Sequence, residues 1–163
     1  MMMLRLTVIF LCSGLFVVQA AEPMSQMIIG TNPNLSDGAT ALRFGDYEEG
    51  LRLTLDGLSS VLTLRDRARA LSNLCAGYLG LGQFVEALEA CDKALELSDR
   101  NWRTYNNRAL ALLGTGRLVA ARVDVDKGQV LNPDSSLLGK TASLIEAREQ
   151  RQLVAGNVDS ETY

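Results

Sequence analysis

The sequence predicts an all-α fold: a short solenoid of about three helix-turn-helix units, closed by a C-terminal helix. Three observations predict it. Hydrophobic residues make up 47% of the 163 residues and charged residues 21%, enough apolar surface for a packed core in a chain sized for one modest domain. Short amphipathic stretches of about a dozen residues alternate with glycines, which suits helices joined by tight turns. Finally, the chain repeats itself at a spacing of thirty-four: Gly80 returns as Gly114, Gly82 as Gly116, Asn73 as Asn107, Phe84 as Leu118, Ala87 as Ala121 and Leu97 as Leu131. A period of this length marks stacked supersecondary units, none of which can bury its apolar face alone.

Residues 1–20 read as an address. A start with one basic side chain, Arg5, precedes an uncharged run from Leu6 to Val18. The segment ends in Val18-Gln19-Ala20, with small residues three and one before the expected cleavage point. This is the plan of a secretory signal peptide, and the apolar run is shorter than a comfortable membrane span. Cys12 sits early in that run behind Leu11, so it does not read as a lipid-attachment cysteine. No later segment could span a membrane. Cleavage leaves Cys75 and Cys91 in a compartment that permits disulfides, and the expected location is secreted and periplasmic. Residues 21–33 read as a loose leader in which Met27-Ile28-Ile29 could dock.

The repeated segments resemble the tetratricopeptide repeat. In residues 68–101 the pattern is carried by Leu71, Leu74, Cys75, Tyr78, Gly82, Phe84, Ala87 and Ala94, with Asp99 where proline is usual. In residues 102–135 it is carried by Tyr105, Ala109, Leu112, Gly116, Leu118, Ala121 and Pro133, with Arg108 in place of leucine and Gly128 in place of alanine. The resemblance implies a right-handed superhelical solenoid. A first unit at about 34–62 fits the same scheme. Asn32 can cap its opening helix, with Pro33 at the first helical position. Residues 45–50 resemble the turn and second-helix start, and that helix continues through Leu51, Leu55 and Leu58. Its turn glycine lies thirty-seven residues before Gly82, which places three extra residues in a linker around Ser59-Ser60. After Pro133, Asp134 or Ser135 can cap a last helix over 135–152. Leu137, Leu138, Thr141, Leu144, Ile145 and Arg148 recur there at helical spacing. The repeat domain thus covers 34–152, and 153–163 read as a flexible tail.

In the family that the chain resembles, the first helices of successive repeats line a concave surface. Counting by repeat position puts Arg69, Asn73, Ala76 and Leu79 there from one unit and Arg103, Asn107, Leu110 and Leu113 from the next. Arginine and asparagine stand four apart in both, on one helix face about a turn apart. Asparagine can donate to and accept from a peptide backbone, and arginine can hold a carboxylate in a fork. The resemblance therefore implies a protein or peptide partner in this groove. The bland alternative is that asparagine is simply common at this position and the arginines are solvated. Asn107-Arg108 is similar to the middle repeat of the carboxylate-clamping members. The first unit departs from that clamp in having Leu35 and Ala39.

Cys75 and Cys91 lie eight residues on either side of Gln83, at the expected hairpin tip. Facing helices packed at about 9–10 Å bring their Cα atoms to about 4.4–5.4 Å, within the reach of a disulfide. Either a bridge or two small apolar residues in adjacent slots fits; the next copy has Ala109 and Val125 there.

Several functions find no support. Histidine is absent, which removes histidine-based triads, metal sites and pH switches. A net charge of −3 gives no general attraction to nucleic acid. Gly80-Leu81-Gly82 leads into no Lys-Ser or Lys-Thr and is a turn, not a phosphate loop. Asp124 and Asp126 point to different helix faces, and Glu48-Glu49 suits a helix start. We expect no catalytic residues, metal or cofactor, and a non-catalytic envelope scaffold that holds a peptide or partner segment. The alternatives are a structural subunit of an envelope assembly or homo-oligomer and, remotely, a thiol-redox protein.

Overall fold

The computed structural model describes residues 32–160, with side chains through residue 155. The expected signal segment, nearly all of the leader and the last three residues lie outside the described residues. Among the described residues the regular elements are seven helices: α1 (Pro33–Arg43), α2 (Tyr47–Leu58), α3 (Leu64–Gly80), α4 (Phe84–Leu97), α5 (Trp102–Gly114), α6 (Leu118–Leu131) and α7 (Ser136–Ser160).

Polar side chains cap the starts of several of these helices, whereas α4 and α6 follow their turn glycines with no side-chain cap. The Asn32 side chain accepts from the Asn34 N–H at 2.9 Å, with Pro33 in the first turn of α1. Asp46 accepts from the Glu49 N–H at 3.3 Å, and Glu48 and Glu49 sit in the first turn of α2, where the helix dipole favours them. Asn101 accepts from the Arg103 N–H at 3.1 Å, and Ser135 accepts from the Leu138 N–H at 3.4 Å. Gly45, Gly82 and Gly116 close the three hairpins with φ of 84°, 72° and 78°, a region costly for any side chain bearing a Cβ.

The expected linker around Ser59-Ser60 is non-helical, but much of its extra length is taken up by α3. The repeat match begins at Ala68, yet α3 begins at Leu64, so residues 64–67 form an additional first turn. Thr63 explains it. Its Oγ1 accepts from the Asp66 N–H at 3.1 Å and donates to Asp66 Oδ2 at 2.7 Å, which caps the chain four residues early. At the other end, the last helix passes its expected bound at Gln152 and runs to Ser160. The sequence there contains no proline, and a single glycine inside a helix costs only about 1 kcal/mol.

Each helix packs antiparallel on its neighbour in sequence, and α1, α3, α5 and α7 also touch one another in succession, whereas α2, α4 and α6 do not. The helices whose neighbours touch form the inner layer of a curved stack. Small residues permit the close approach. Ala87, Cys91, Ala109 and Ala121 are fully buried between helices. Gly80 lies beneath the Tyr47 ring and Gly114 beneath the Phe84 ring; a Cβ at Gly114 would stand 2.6 Å from Phe84 Cε1. The turn glycines and these two therefore have different tasks, one set by backbone conformation and one by packing.

The core is two adjoining clusters, one around Leu51, Leu74, Cys75, Ala90 and Cys91 and one around Ala109, Leu112, Val125 and Ile145. Cys75 and Cys91 form a disulfide, with Cα atoms 5.2 Å apart. Hydrogen bonds also tie inner helices together. Thr104 Oγ1 donates to Ser72 Oγ at 2.8 Å, and Thr141 Oγ1 donates to Asn106 Oδ1 at 2.8 Å. Ser72 and Asn106 occupy the same repeat position. On α7 only part of the expected apolar side is used: Leu138, Thr141 and Ile145 are buried, whereas Leu137, Leu144 and Arg148 stay exposed. With no partner helix following α7 among the described residues, only the strip facing α5 and α6 is covered.

Candidate functional site

Two adjoining depressions lie along the inner layer. The first, about 300 Å³, runs between α1 and α3 and is lined by Leu35, Ser36, Ala39, Arg69, Ala70 and Asn73. The second, about 550 Å³, lies between the N-terminal ends of α3 and α5 and the C-terminal end of α4. Arg69 borders both, and Arg103 borders the second. A four-residue spacing on α3 thus places Arg69 and Asn73 in one groove, because the two positions share a helix face.

Arg69 is exposed and stands 3.7 Å from Asp66, a long one-turn contact that leaves most of the guanidinium available. Arg103 lies over the Trp102 ring at 4.3 Å, close enough for the ring face to attract the cation and fix its direction. Asn73 and Asn107 are half-buried, and neither side chain makes a hydrogen bond among the described residues. Such amides, held at the edge of water, are poised to pair with a peptide backbone.

The apolar floor differs from the expected one. Leu79 is half-buried but packs against the middle core cluster, and Leu113 packs in the same way against the next. Leu110 is half-buried and belongs to neither cluster, and Ala76 is half-buried.

Arg108, where the repeat pattern calls for leucine, turns away from the groove. It donates through Nε and Nη2 to both oxygens of Asp124, each at 2.7 Å, and through Nη1 to Asp92 at 2.6 Å. The hydrogen bonds it donates to Asp124, together with the one to Asp92, raise the guanidinium pKa above its already high usual value. Asp124 is buried and Asp126 exposed, so the two carboxylates do face different ways. Among the described residues no group of three metal-ligating side chains gathers, and no helix is long and apolar enough to cross a membrane.

Of the residues read from the sequence, Arg69 and Arg103 line the larger cleft; Arg65, Arg100 and Trp102 are among those that join them. Arg65 lies in the unforeseen turn of α3, one turn from Arg69. Arg100 lies in the connection just before the Asn101 cap. The signal available was the spacing of arginines at 65 and 69 and at 100 and 103, but only the added turn of α3 puts the pairs side by side.

Comparison with known proteins points one way. The tetratricopeptide repeat family matches residues 68–101. Sperm-associated antigen 1 of Mus musculus is 33% identical over 115 residues, which are 71% of this chain and 12% of that protein. The chain therefore spans only a small part of the length of this relative. Among solved structures, the Hsp90 co-chaperone Cns1 from Saccharomyces cerevisiae is similar with a TM-score of 0.73 and 17% identity, over 80% of this chain and 43% of that one. The second such domain of human RPAP3, solved in complex with an HSP70 peptide, is similar with a TM-score of 0.61 and 21% identity, over 72% of this chain and 98% of that one.

Proposed function

The chain is built on tetratricopeptide repeats, and from that premise we propose that it is a non-catalytic interaction domain that holds a peptide segment of a partner protein along its inner layer. The observation that carries this reading is the groove between α1 and α3, where Arg69 and Asn73 stand beside the apolar Leu35 and Ala39. A backbone lying there can pair with Asn73 and then with Asn107, while Arg69 and Arg103 take acidic side chains or a terminal carboxylate. Leu110 offers an apolar contact farther along. The human RPAP3 domain of the same fold was solved with an HSP70 peptide, which supports a peptide as the class of ligand.

We further infer that the protein works after secretion, in the periplasm. The plan of residues 1–20 supports this reading, and so does the Cys75–Cys91 bridge, which suits an oxidising compartment. Both sulfurs belong to fully buried residues, an arrangement that serves structure better than thiol exchange.

Crosslinking in intact cells tests the proposal. Wild-type protein is compared with an Arg69→Glu/Arg103→Glu variant and an Asn73→Ala/Asn107→Ala variant. Loss of the same crosslinked partner from both variants is the expected result. A partner set unchanged in both removes the groove as the binding surface.

A further inference from the structure

The last helix carries more than its packing uses. Leu138, Thr141 and Ile145 are its buried strip, and among the described residues α7 touches no element besides α5 and α6. From Gln150 through Ala155 every residue is exposed, so this end of the helix, which runs on to Ser160, stands clear of the array. Along the free side Leu137, Lys140, Leu144, Arg148, Arg151 and Ala155 follow one another at spacings of three and four, which sets them in a single exposed stripe. Leu137 and Leu144 are 51% and 53% exposed. Charge is sorted between the two sides of the helix. Glu146 and Glu149 turn toward Arg122 of α6, at 3.8 and 2.7 Å, whereas Lys140, Arg148 and Arg151 make no ion pair among the described residues. The chain as a whole carries net −3, so the stripe is a local excess of positive charge.

A helix end-face made only to meet water needs neither the leucines nor the sorting of charge. The stripe is also the convex side of one helix, so it cannot enclose a ligand as a groove does. Lys140 and Arg151 stand eleven residues apart, about 16 Å along the axis, with apolar side chains between them. Cations spread in this way suit an extended anionic surface that fixes no partner atom in one place. Their long stems lie along the apolar residues while the charged ends reach headgroups, and the leucines enter the layer beneath. We propose that α7 lays its free side on a membrane surface rich in anionic phospholipid. Lys140, Arg148 and Arg151 meet the headgroups, and Leu137, Leu144 and Val154, which shares a shallow depression with Arg151, settle between them. This is adsorption and not spanning, since no helix among the described residues is long and apolar enough to cross a membrane. It is independent of the peptide groove, which lies between α1 and α3 at the opposite end of the array.

Co-sedimentation of the full protein with lipid vesicles tests it. One set of vesicles is phosphatidylcholine alone, and the other contains about 30% phosphatidylglycerol. The protein should bind the anionic vesicles at least about tenfold more tightly than the neutral ones, and the difference should shrink between about 50 and 300 mM salt. Lys140→Gln/Arg148→Gln/Arg151→Gln changes only exposed side chains and should remove about tenfold of the affinity for anionic vesicles at an unchanged melting temperature. Leu144→Ser should weaken binding to the same vesicles severalfold. Hydrogen exchange reads the helix itself, apart from any contribution of residues 1–31: amides from Arg148 onward in α7 should exchange more slowly on anionic vesicles and keep their rate with neutral ones. Equal binding to the two kinds of vesicle, an unchanged affinity in the triple variant, or unaltered exchange in α7 overturns the proposal. Self-association in the absence of lipid that Leu144→Ser abolishes would also overturn it, reassigning the stripe to a second copy of the chain.

Discussion

Arg108 on α5 grips Asp124 on α6 with two parallel hydrogen bonds of 2.7 Å, at the positions where the preceding repeat packs Leu74 against Ala90. Both partners change together between the two copies, an apolar pair in one and an ion pair in the other. The Asp124 side chain is only 3% exposed and that of Arg108 21%, so each depends on the other for its solvation.

Removing one partner should therefore be worse than removing both. Asp124→Ala leaves a guanidinium without its principal acceptor and should lower stability by about 3 kcal/mol, with Asp92 limiting the loss. Arg108→Leu/Asp124→Ala copies the chemistry of the middle repeat and should recover most of that loss. Urea unfolding of the two single variants and the double variant supplies the comparison. Additive losses would mean that the pair is not coupled.

The disulfide can be replaced by its counterpart in the same way. Cys75→Ala/Cys91→Val installs the residues that the next repeat uses, Ala109 and Val125, which are equally well buried. The fold should persist, with up to about 3 kcal/mol less stability than the oxidised protein, as for a bridge closing a loop of this length. Reductant should lower the melting temperature of the wild type toward that of the variant and leave the variant unmoved.

Packing beneath an aromatic ring gives a third test. Gly114→Ala places a Cβ 2.6 Å from Phe84 Cε1 and should cost about 1–3 kcal/mol, despite the better helix propensity of alanine. Phe84→Leu, which repeats the choice at Leu118, should make Gly114→Ala much less costly. A double-mutant cycle in calorimetry measures that coupling.

A buried hydrogen bond helps to fasten the last helix, beside the more exposed Arg122–Glu149 ion pair. Thr141 and Asn106 are both buried, and Thr141→Val leaves the Asn106 carbonyl without its donor. The expected loss is about 1–3 kcal/mol. Hydrogen exchange should quicken in α7 before it does in α3 and α4. Uniform quickening along the chain would show that α7 does not open independently.

The hairpins were legible because their signals are local. Glycines with positive φ, small residues at helix crossings and polar caps announce themselves within a few residues, and the thirty-four-residue spacing aligns them. The pairing of Arg69 with Asn73 followed from helix geometry alone. Less legible were features set by competition between neighbours. Thr63 starts α3 early and thereby creates the arginine cleft, although a linker was the simpler reading of three additional residues. Leu79 and its repeat counterpart Leu113 both pack against the core, whereas Leu110, which stands where the preceding repeat has Ala76, belongs to neither cluster. Arg108 resembled a departure from the repeat until Asp124, sixteen residues away, was placed beside it.

The position of the covalent bridge also shapes how the array yields. It joins the two halves of the middle hairpin, with other helices stacked on either side. Fraying that starts at either terminus and creeps inward meets a pair of segments that cannot drift apart. That tethered pair becomes the seed on which the outer turns reassemble, so damage at the margins heals from the centre.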